Sequence, residues 1–221
     1  MFYILISILL ADIASIGLSK LLRKDGVEDH HNMRWFFVHF FVNFMITYLA
    51  FNDVKTCFQN FNECPTIGWS DDSESASHYA ILVHIYHVVF FYKHLRFDEW
   101  FHHIVMCCIA FPIMFTYNRE INSITALWFI TGLPGMIDYF LLWLVKLGRL
   151  EKDTEKYIYV MIAVIIRSPG CILSAASGLL VLNLAYTTVN LARWFLVFVT
   201  IWNGQYYMYV TVKSSTRANI I

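Results

Sequence analysis

The sequence predicts an all-α fold, a polytopic bundle of about seven transmembrane helices. Of its 221 residues, 58% are hydrophobic, 18% are aromatic and only 14% are charged, whereas an average soluble domain carries roughly 25% charged residues. So few charges could not cover so much apolar surface in water. The 16 basic residues balance the 16 acidic ones, and we therefore expect no nucleic-acid partner.

Seven apolar segments approach the roughly 17–25 residues that a helix needs to cross a bilayer. Alternation with a period of two is absent, so each segment is predicted to be helical. The predicted spans are residues 1–19, 34–50, 77–92, 101–117, 121–147, 157–182 and 194–212. We expect residues 1–33 to hold the first helix and a cytosolic loop, residues 34–212 a six-helix membrane core, and residues 213–221 a short cytosolic tail.

The basic residues predict an orientation with the N-terminus outside and the C-terminus in the cytosol. In this orientation 12 of the 16 Lys and Arg residues lie on the cytosolic side, all except Lys55, Arg119, Arg167 and Arg193. Basic residues concentrate on the cytosolic side of membrane proteins because they resist translocation. The long loop of residues 52–76 is then exposed to the outer or lumenal compartment.

Cys57 and Cys64 share this outer loop, with six residues between them. In an oxidising lumen they are candidates for a disulfide, and two free thiols are the open alternative. The other three cysteines lie in predicted spans, where packing is the expected role. No spacing is typical of a structural zinc site, so no metal is predicted.

Ionisable side chains from six predicted spans fall in one layer between the cytosolic face and the midplane. Counting about 1.5 Å per residue from the basic residue at each cytosolic end gives depths of roughly 8–17 Å. The residues are Asp12, His39, His84, His87, His102, His103, Asp138 and Arg167. Because buried charges are costly, such groups normally face the bundle interior. We expect a central polar cavity that opens toward the cytosol, or alternatively a structural network in which Asp12 or Asp138 pairs with Arg167.

Two helix breaks are predicted beside this layer. The run Gly132-Leu133-Pro134-Gly135 precedes Asp138, and Ser168-Pro169-Gly170 follows Arg167. Proline and glycine within a span leave backbone carbonyls that need other partners. A lipid or substrate site and simple packing kinks are both consistent with the breaks.

The segment Lys93–Ala110, KHLRFDEWFHHIVMCCIA, resembles the signature of the TLC-domain family of polytopic membrane proteins, which includes the ceramide synthases and several lipid-regulating proteins. Arg96 and Asp98 fill the position of a basic/acidic pair at the cytosolic entrance. His102 and His103 fill that of a His-His doublet at the head of the next span. The resemblance implies a TLC-like bundle in the endoplasmic reticulum, with sphingolipid metabolism as its field.

One part of the family pattern is incomplete. Ceramide synthases carry His-Asp-x-x-Asp in the span after the doublet, where this sequence reads Pro134-Gly135-Met136-Ile137-Asp138. Only Asp138 matches, as the second aspartate. The incomplete motif leaves a non-catalytic branch of the family as an alternative.

Three functions remain open. The resemblance implies acyl transfer from acyl-CoA, a candidate co-substrate, to a lipid amine. His102, His103 and Asp138 would be catalytic, and the substrate would meet the residues Arg96, Asp98, His84, His87 and Arg167. The alternative is a protein that binds, senses or redistributes membrane lipids without catalysis. An ion or proton pathway is the third reading of the buried charges. Membrane lipids are the expected partners, a homodimer is a candidate assembly, and no tightly bound cofactor is expected.

Overall fold

The computed structural model describes residues 1–25, 30–182 and 187–218, and of His30 and Asp98 it describes the backbone only. Within these residues the chain forms helices and no strand, so the predicted all-helical fold is confirmed there. Seven long helices follow the seven predicted spans. They are α1 (Phe2–Leu22), α2 (His30–Gln59), α3 (Asp71–Phe91), α4 (residues 97–117), α5 (Ile121–Lys146), α6 (Lys152–Leu179) and α7 (Thr188–Arg217).

Five of these helices are long and apolar enough to cross a membrane, namely α1, α2, α4, α5 and α6. In α3 the first turn is acidic, with Asp71, Asp72 and Glu74. In α7 the apolar sequence is interrupted by Asn203 and Gln205. The apolar helices indicate a membrane protein, and the number of helices that cross the membrane stays a prediction.

Helices α4, α5 and α6 each contain one five-residue π-helical segment. The segments are Met106–Ala110, Trp128–Gly132 and Ala163–Arg167. Each lies two residues before a proline, at Pro112, Pro134 and Pro169. A proline removes one backbone donor and crowds the carbonyl four residues earlier, and the wider π turn accommodates both effects. At both predicted breaks a π turn interrupts the regular α-helix, but the helix does not end there and continues through the proline.

Helix α2 forms the centre of the bundle and packs against α1, α3 and α5, while α6 packs against α5 and α7. One face of α2 is buried at every fourth residue, at Val38, Val42, Ile46, Ala50 and Val54. A spacing of three to four residues keeps side chains on one face of a helix. This face places the centre of the core between α2, α3 and α5.

Two glycines allow neighbouring helices to approach closely. A Cβ atom at Gly170 of α6 would overlap the ring of Phe129, which belongs to the π turn of α5. At Gly204 of α7 a Cβ atom would lie 2.7 Å from the Cβ of Cys171. Side chains at these positions would force α6 away from α5 and α7.

The loops define two ends of the bundle. At the disulfide end (residues 57–70, 117–121 and 187–193), Cys57 and Cys64 are joined in a disulfide. There Ile121 donates its backbone N–H to Ile67, and Trp69 donates to Arg119. At the basic end (residues 20–25, 92–97 and 146–152), Lys24 donates its backbone N–H to Leu147. Successive helices thus run in alternate directions between the two ends.

Candidate functional site

The five histidines that the sequence places at one depth lie together in the structure. They form the histidine cluster, which consists of His39 from α2, His84 and His87 from α3, and His102 and His103 from α4. Nε2 of His84 lies 3.1 Å from Nε2 of His102. Nε2 of His103 lies 3.3 Å from Nδ1 of His87. The ring centroids of His39 and His87 are 4.2 Å apart, with the rings stacked. Three helices therefore supply one continuous group of imidazoles.

Backbone carbonyls determine which nitrogen carries the proton in three of these rings. Nδ1 of His39 lies 2.8 Å from the carbonyl oxygen of Trp35. Nδ1 of His84 and Nδ1 of His103 each lie 2.6 Å from the carbonyl oxygen four residues earlier. A carbonyl oxygen only accepts, so each Nδ1 donates. In the neutral rings Nε2 is then left as a lone-pair acceptor.

The two histidine-histidine contacts follow from these tautomers. Because Nε2 of His84 is an acceptor, Nε2 of His102 must carry the proton and donate it to His84. Likewise Nδ1 of His87 donates to Nε2 of His103. His102 is exposed while His84 lies behind it, and His87 is 1% exposed. In this tautomer the lone pair of His102 is on its second nitrogen, Nδ1.

Ring contacts continue from the cluster to α5. The rings of Trp35, His87 and His39 lie close to one another, with centroids 3.9 to 4.9 Å apart. Tyr139 stacks on the His39 ring at 4.2 Å. Tyr139 comes directly after Asp138 in α5, so the residue that reaches the histidines is the neighbour of the predicted aspartate. Neither Trp35 nor Tyr139 was singled out by the sequence, because aromatic residues are common throughout the spans.

Arg167 forms a separate group between α6 and α7. Its guanidinium donates to the Tyr159 hydroxyl at 2.7 Å and to Oδ1 of Asn203 at 2.9 Å. The same guanidinium lies 4.2 Å from the centroid of the Tyr207 ring. Among the described residues it forms no ion pair with Asp12 or Asp138, so that expected pairing is wrong. Neutral acceptors and an aromatic face hold this buried cation instead.

Asp138 lies near this second group rather than in the histidine cluster. Its carboxyl interacts with Glu155 of α6 and with the charge of Arg167. Glu155 is 5% exposed. Tyr139 stacks on His39, and it follows Asp138 directly in α5, so one helical step separates the two groups. Apart from Asp12, the predicted layer is therefore divided into an imidazole part and a carboxyl-guanidinium part.

Asp12 pairs with Arg34 in α2. The contact is bidentate, with Nε to Oδ1 at 2.8 Å and Nη2 to Oδ2 at 2.6 Å. Such a fork-to-fork arrangement is the strongest geometry for an arginine-carboxylate pair. From the sequence, Arg34 contributed only to the predicted orientation of the chain in the membrane. Its position 22 residues after Asp12, across one loop, is a signal that places the two side chains on adjacent antiparallel helices.

The predicted entrance pair is only partly described. Arg96 is the residue at the start of α4, where its backbone N–H donates to the Glu99 carboxylate at 2.8 Å. The Arg96 side chain is 71% exposed and lies 3.7 Å from the same carboxylate. The Asp98 side chain lies outside the described residues. Arg96 thus stands at the basic end, with its role toward a substrate still a prediction.

A cavity of about 80 Å³ lies between α4, α5, α6 and α7. It extends from Met106 to Asn118 along α4, and no histidine of the cluster lines it. A second, shallow cleft at the surface is lined by Phe44, Tyr48 and Met136 among others. Neither is the polar cavity predicted around the doublet. Among the described residues no group of three or more His, Cys, Asp or Glu side chains is arranged to hold a metal ion.

Comparison with protein-family models, with curated proteins and with solved structures gives no match for this chain. The similarity to the TLC-domain family is therefore carried by the motif residues in and before α4, and membership stays a prediction.

Proposed function

We propose that this chain is a multi-pass membrane protein of lipid metabolism that transfers an acyl group from acyl-CoA to a lipid amine, with His102 as the general base. The observation that carries the proposal is the 3.1 Å contact between Nε2 of His102 and Nε2 of His84. It places the proton of the exposed His102 on Nε2 and its lone pair on Nδ1. A general base needs such an accessible lone pair and a fixed orientation.

The histidine pair supports this chemistry as an oriented base. The amine nitrogen attacks the thioester carbonyl, its proton passes to Nδ1 of His102, and the carbon-sulfur bond breaks to release CoA. The proton then passes from His102 to the departing thiolate. Throughout, the Nε2–H of His102 remains bonded to His84, which Ala80 holds in the accepting tautomer. The same logic orients the histidine of hydrolytic triads, where the third group fixes the ring.

The proposal includes a topology. Helices α3 and α7 cross the membrane with the other five, the N-terminus is lumenal, and the C-terminus is cytosolic in the endoplasmic reticulum. His102 lies about 9 Å along α4 from Arg96, at 1.5 Å per residue. In this topology both residues belong to the cytosolic half, where Arg96 and Lys93 would meet the phosphates of acyl-CoA.

A turnover assay tests the proposal. Purified protein in lipid nanodiscs receives radiolabelled acyl-CoA and a sphingoid base, and the N-acyl product is separated and counted. We expect His102→Ala to lower kcat at least about 100-fold, the lower range for a lost general base. His78→Gln is the matched control, since His78 of α3 stacks on Phe115 outside the histidine cluster. Equal product with wild type, His102→Ala and no protein would contradict the proposal.

A non-catalytic protein that binds or redistributes membrane lipids is the second candidate. The distance in the fold between Asp138 and the doublet favours it, because Asp138 interacts with Glu155 and Arg167 instead. A protein that exchanges fluorescent lipids between vesicles, yet makes no acylated product in the assay above, would support this candidate over the first.

A further inference from the structure

The cavity between α4, α5, α6 and α7 has one polar end and a mostly apolar wall. Near the disulfide end it is lined by Asn118, Asn122, Ser123 and Arg193. Elsewhere the lining is mostly apolar, and the hydroxyls of Ser174 and Thr200 in it donate to backbone carbonyls of their own helices. A pocket with an apolar body and a few polar groups at one end is typical of a lipid site.

Two buried polar atoms of residues that line the polar end have no hydrogen-bond partner among the described residues. They are Oδ1 of Asn122 and Nε of Arg193. Asn122 is 7% exposed. Arg193 already uses Nη2 to pair with Oε1 of Glu120 at 2.7 Å. Unpaired buried polar atoms are rare and costly, so a group that is able to pair with them would bind favourably.

The unpaired atoms define the chemistry of that group. Oδ1 of Asn122 is an acceptor and Nε of Arg193 is a donor, which fits a hydroxyl group that donates to Asn122 and accepts from Arg193. A phosphate head would bring negative charge beside Glu120, whose charge is already balanced by Arg193. The head is therefore neutral and hydroxylated.

The dimensions define the rest of the ligand. From Met106 to Asn118 the cavity follows α4 for about 18 Å at 1.5 Å per residue, close to half of the roughly 30 Å hydrocarbon core. About 80 Å³ of the cavity is open to the centre of a water-sized group, and this space is spread along that length, so the cavity is narrow. One narrow chain fits, and a sterol or a two-chain lipid does not.

We infer that this cavity binds a neutral lipid with one acyl chain and a hydroxylated head, of the monoacylglycerol class. The head lies against Asn122 and Arg193, and the chain runs toward Met106, one helical turn beyond the doublet. This site does not depend on acyl transfer at His102, because none of the histidines lines it.

Photolabelling tests the inference. The protein in phosphatidylcholine vesicles receives a monoacylglycerol with a diazirine in its acyl chain, and labelled residues are mapped by mass spectrometry. Val197 lines the cavity and is 8% exposed, whereas its neighbour Phe198 is 64% exposed on the outer face. We expect label at Val197 and Met114 that unlabelled monooleoylglycerol displaces and lysophosphatidic acid does not. The inference would be overturned if Phe198 carried more label than Val197 and unlabelled monooleoylglycerol did not displace the label.

Two test substitutions and one control sharpen the experiment. Ala126→Leu adds bulk to the cavity wall and should abolish the competed label, while Leu173→Phe adds bulk to the outer face of α6, where Leu173 is 44% exposed. Asn122→Leu removes an unpaired acceptor, so we expect unchanged thermal stability and binding weakened about fivefold, as for one lost hydrogen bond. Unchanged labelling in both Ala126→Leu and Asn122→Leu would overturn the site. Acyl-transfer activity is measured in parallel, so failure of either proposal is seen separately.

Discussion

His84 and His102 meet through their Nε2 atoms at 3.1 Å, and the carbonyl of Ala80 fixes His84 as the acceptor of the pair. The pairing orients an exposed imidazole without a carboxylate. The pairing also predicts that activity depends more on a hydrogen-bond acceptor at position 84 than on an imidazole there.

Substitution of His84 separates these two properties. His84→Gln keeps a side-chain oxygen that accepts from Nε2–H of His102, so we expect kcat within about tenfold of wild type. His84→Leu removes the acceptor, and we expect a loss of about 100-fold, as for a displaced general base. Both are measured in the acyl-transfer assay with thermal stability checked alongside. Equal losses in the two variants would show that His84 does not act through its acceptor.

The ion pair between Asp12 and Arg34 is expected to stabilise the contact between α1 and α2. Its side chains are 11% and 34% exposed, so Asp12→Asn leaves a partly buried, uncompensated guanidinium. We expect a loss of about 2 kcal/mol, below the 3–5 typical of fully buried pairs, measured by unfolding in detergent.

The control is the pair between Glu74 and Arg119, whose side chains are 39% and 50% exposed. Glu74→Gln should cost less than about 1 kcal/mol because water screens the pair. A larger loss for Glu74→Gln than for Asp12→Asn would refute this ranking.

Alkylation of the five cysteines tests the disulfide. Cys57 and Cys64 are joined, and Cys107, Cys108 and Cys171 are free. After denaturation we expect three alkyl groups by intact mass without reductant and five with it. The bridge should stabilise the disulfide end, and Cys57→Ala should cost about 2 kcal/mol through the freer unfolded chain. Five adducts before reduction would rule out the bridge.

The close approach of α5 and α6 is tested at Gly170. A Cβ atom there overlaps the Phe129 ring, and we expect Gly170→Ala to destabilise the protein by about 1–3 kcal/mol through overpacking. Gly17→Ala is the matched control, because nothing lies within 4 Å of a Cβ at that helical position. It should be neutral or stabilising by up to about 1 kcal/mol. A larger loss of stability for Gly17→Ala than for Gly170→Ala would show that α5 and α6 lie further apart than in this structure.

Counting depth along straight helices predicted which histidines share a layer, and the structure brings five of them into contact. The method works because the rise per residue is nearly constant. Depth along a helix does not tell which direction a side chain faces around the helix axis. Adjacent side chains diverge by about 100°, so one step decided that Tyr139 rather than Asp138 faces His39.

The π turns explain why rotation could not be predicted in α5 and α6. Trp128–Gly132 precedes Asp138, and Ala163–Arg167 ends at Arg167 itself. Each π turn holds an additional residue, which changes the angular position of every side chain that follows. Proline marked these places in the sequence, but a proline kinks, ends or widens a helix according to its packing.

Chemical rescue of His102→Gly is the most direct test of whether His102 is the general base. His102 is exposed, so exogenous imidazole has access to the space left by its ring. We expect the purified variant to be inactive in acyl transfer. Added imidazole should restore its rate in proportion to the imidazole concentration and should have no effect on wild type. A wild-type protein without acyl-transfer activity, or a variant as active as wild type without imidazole, would contradict this role of His102.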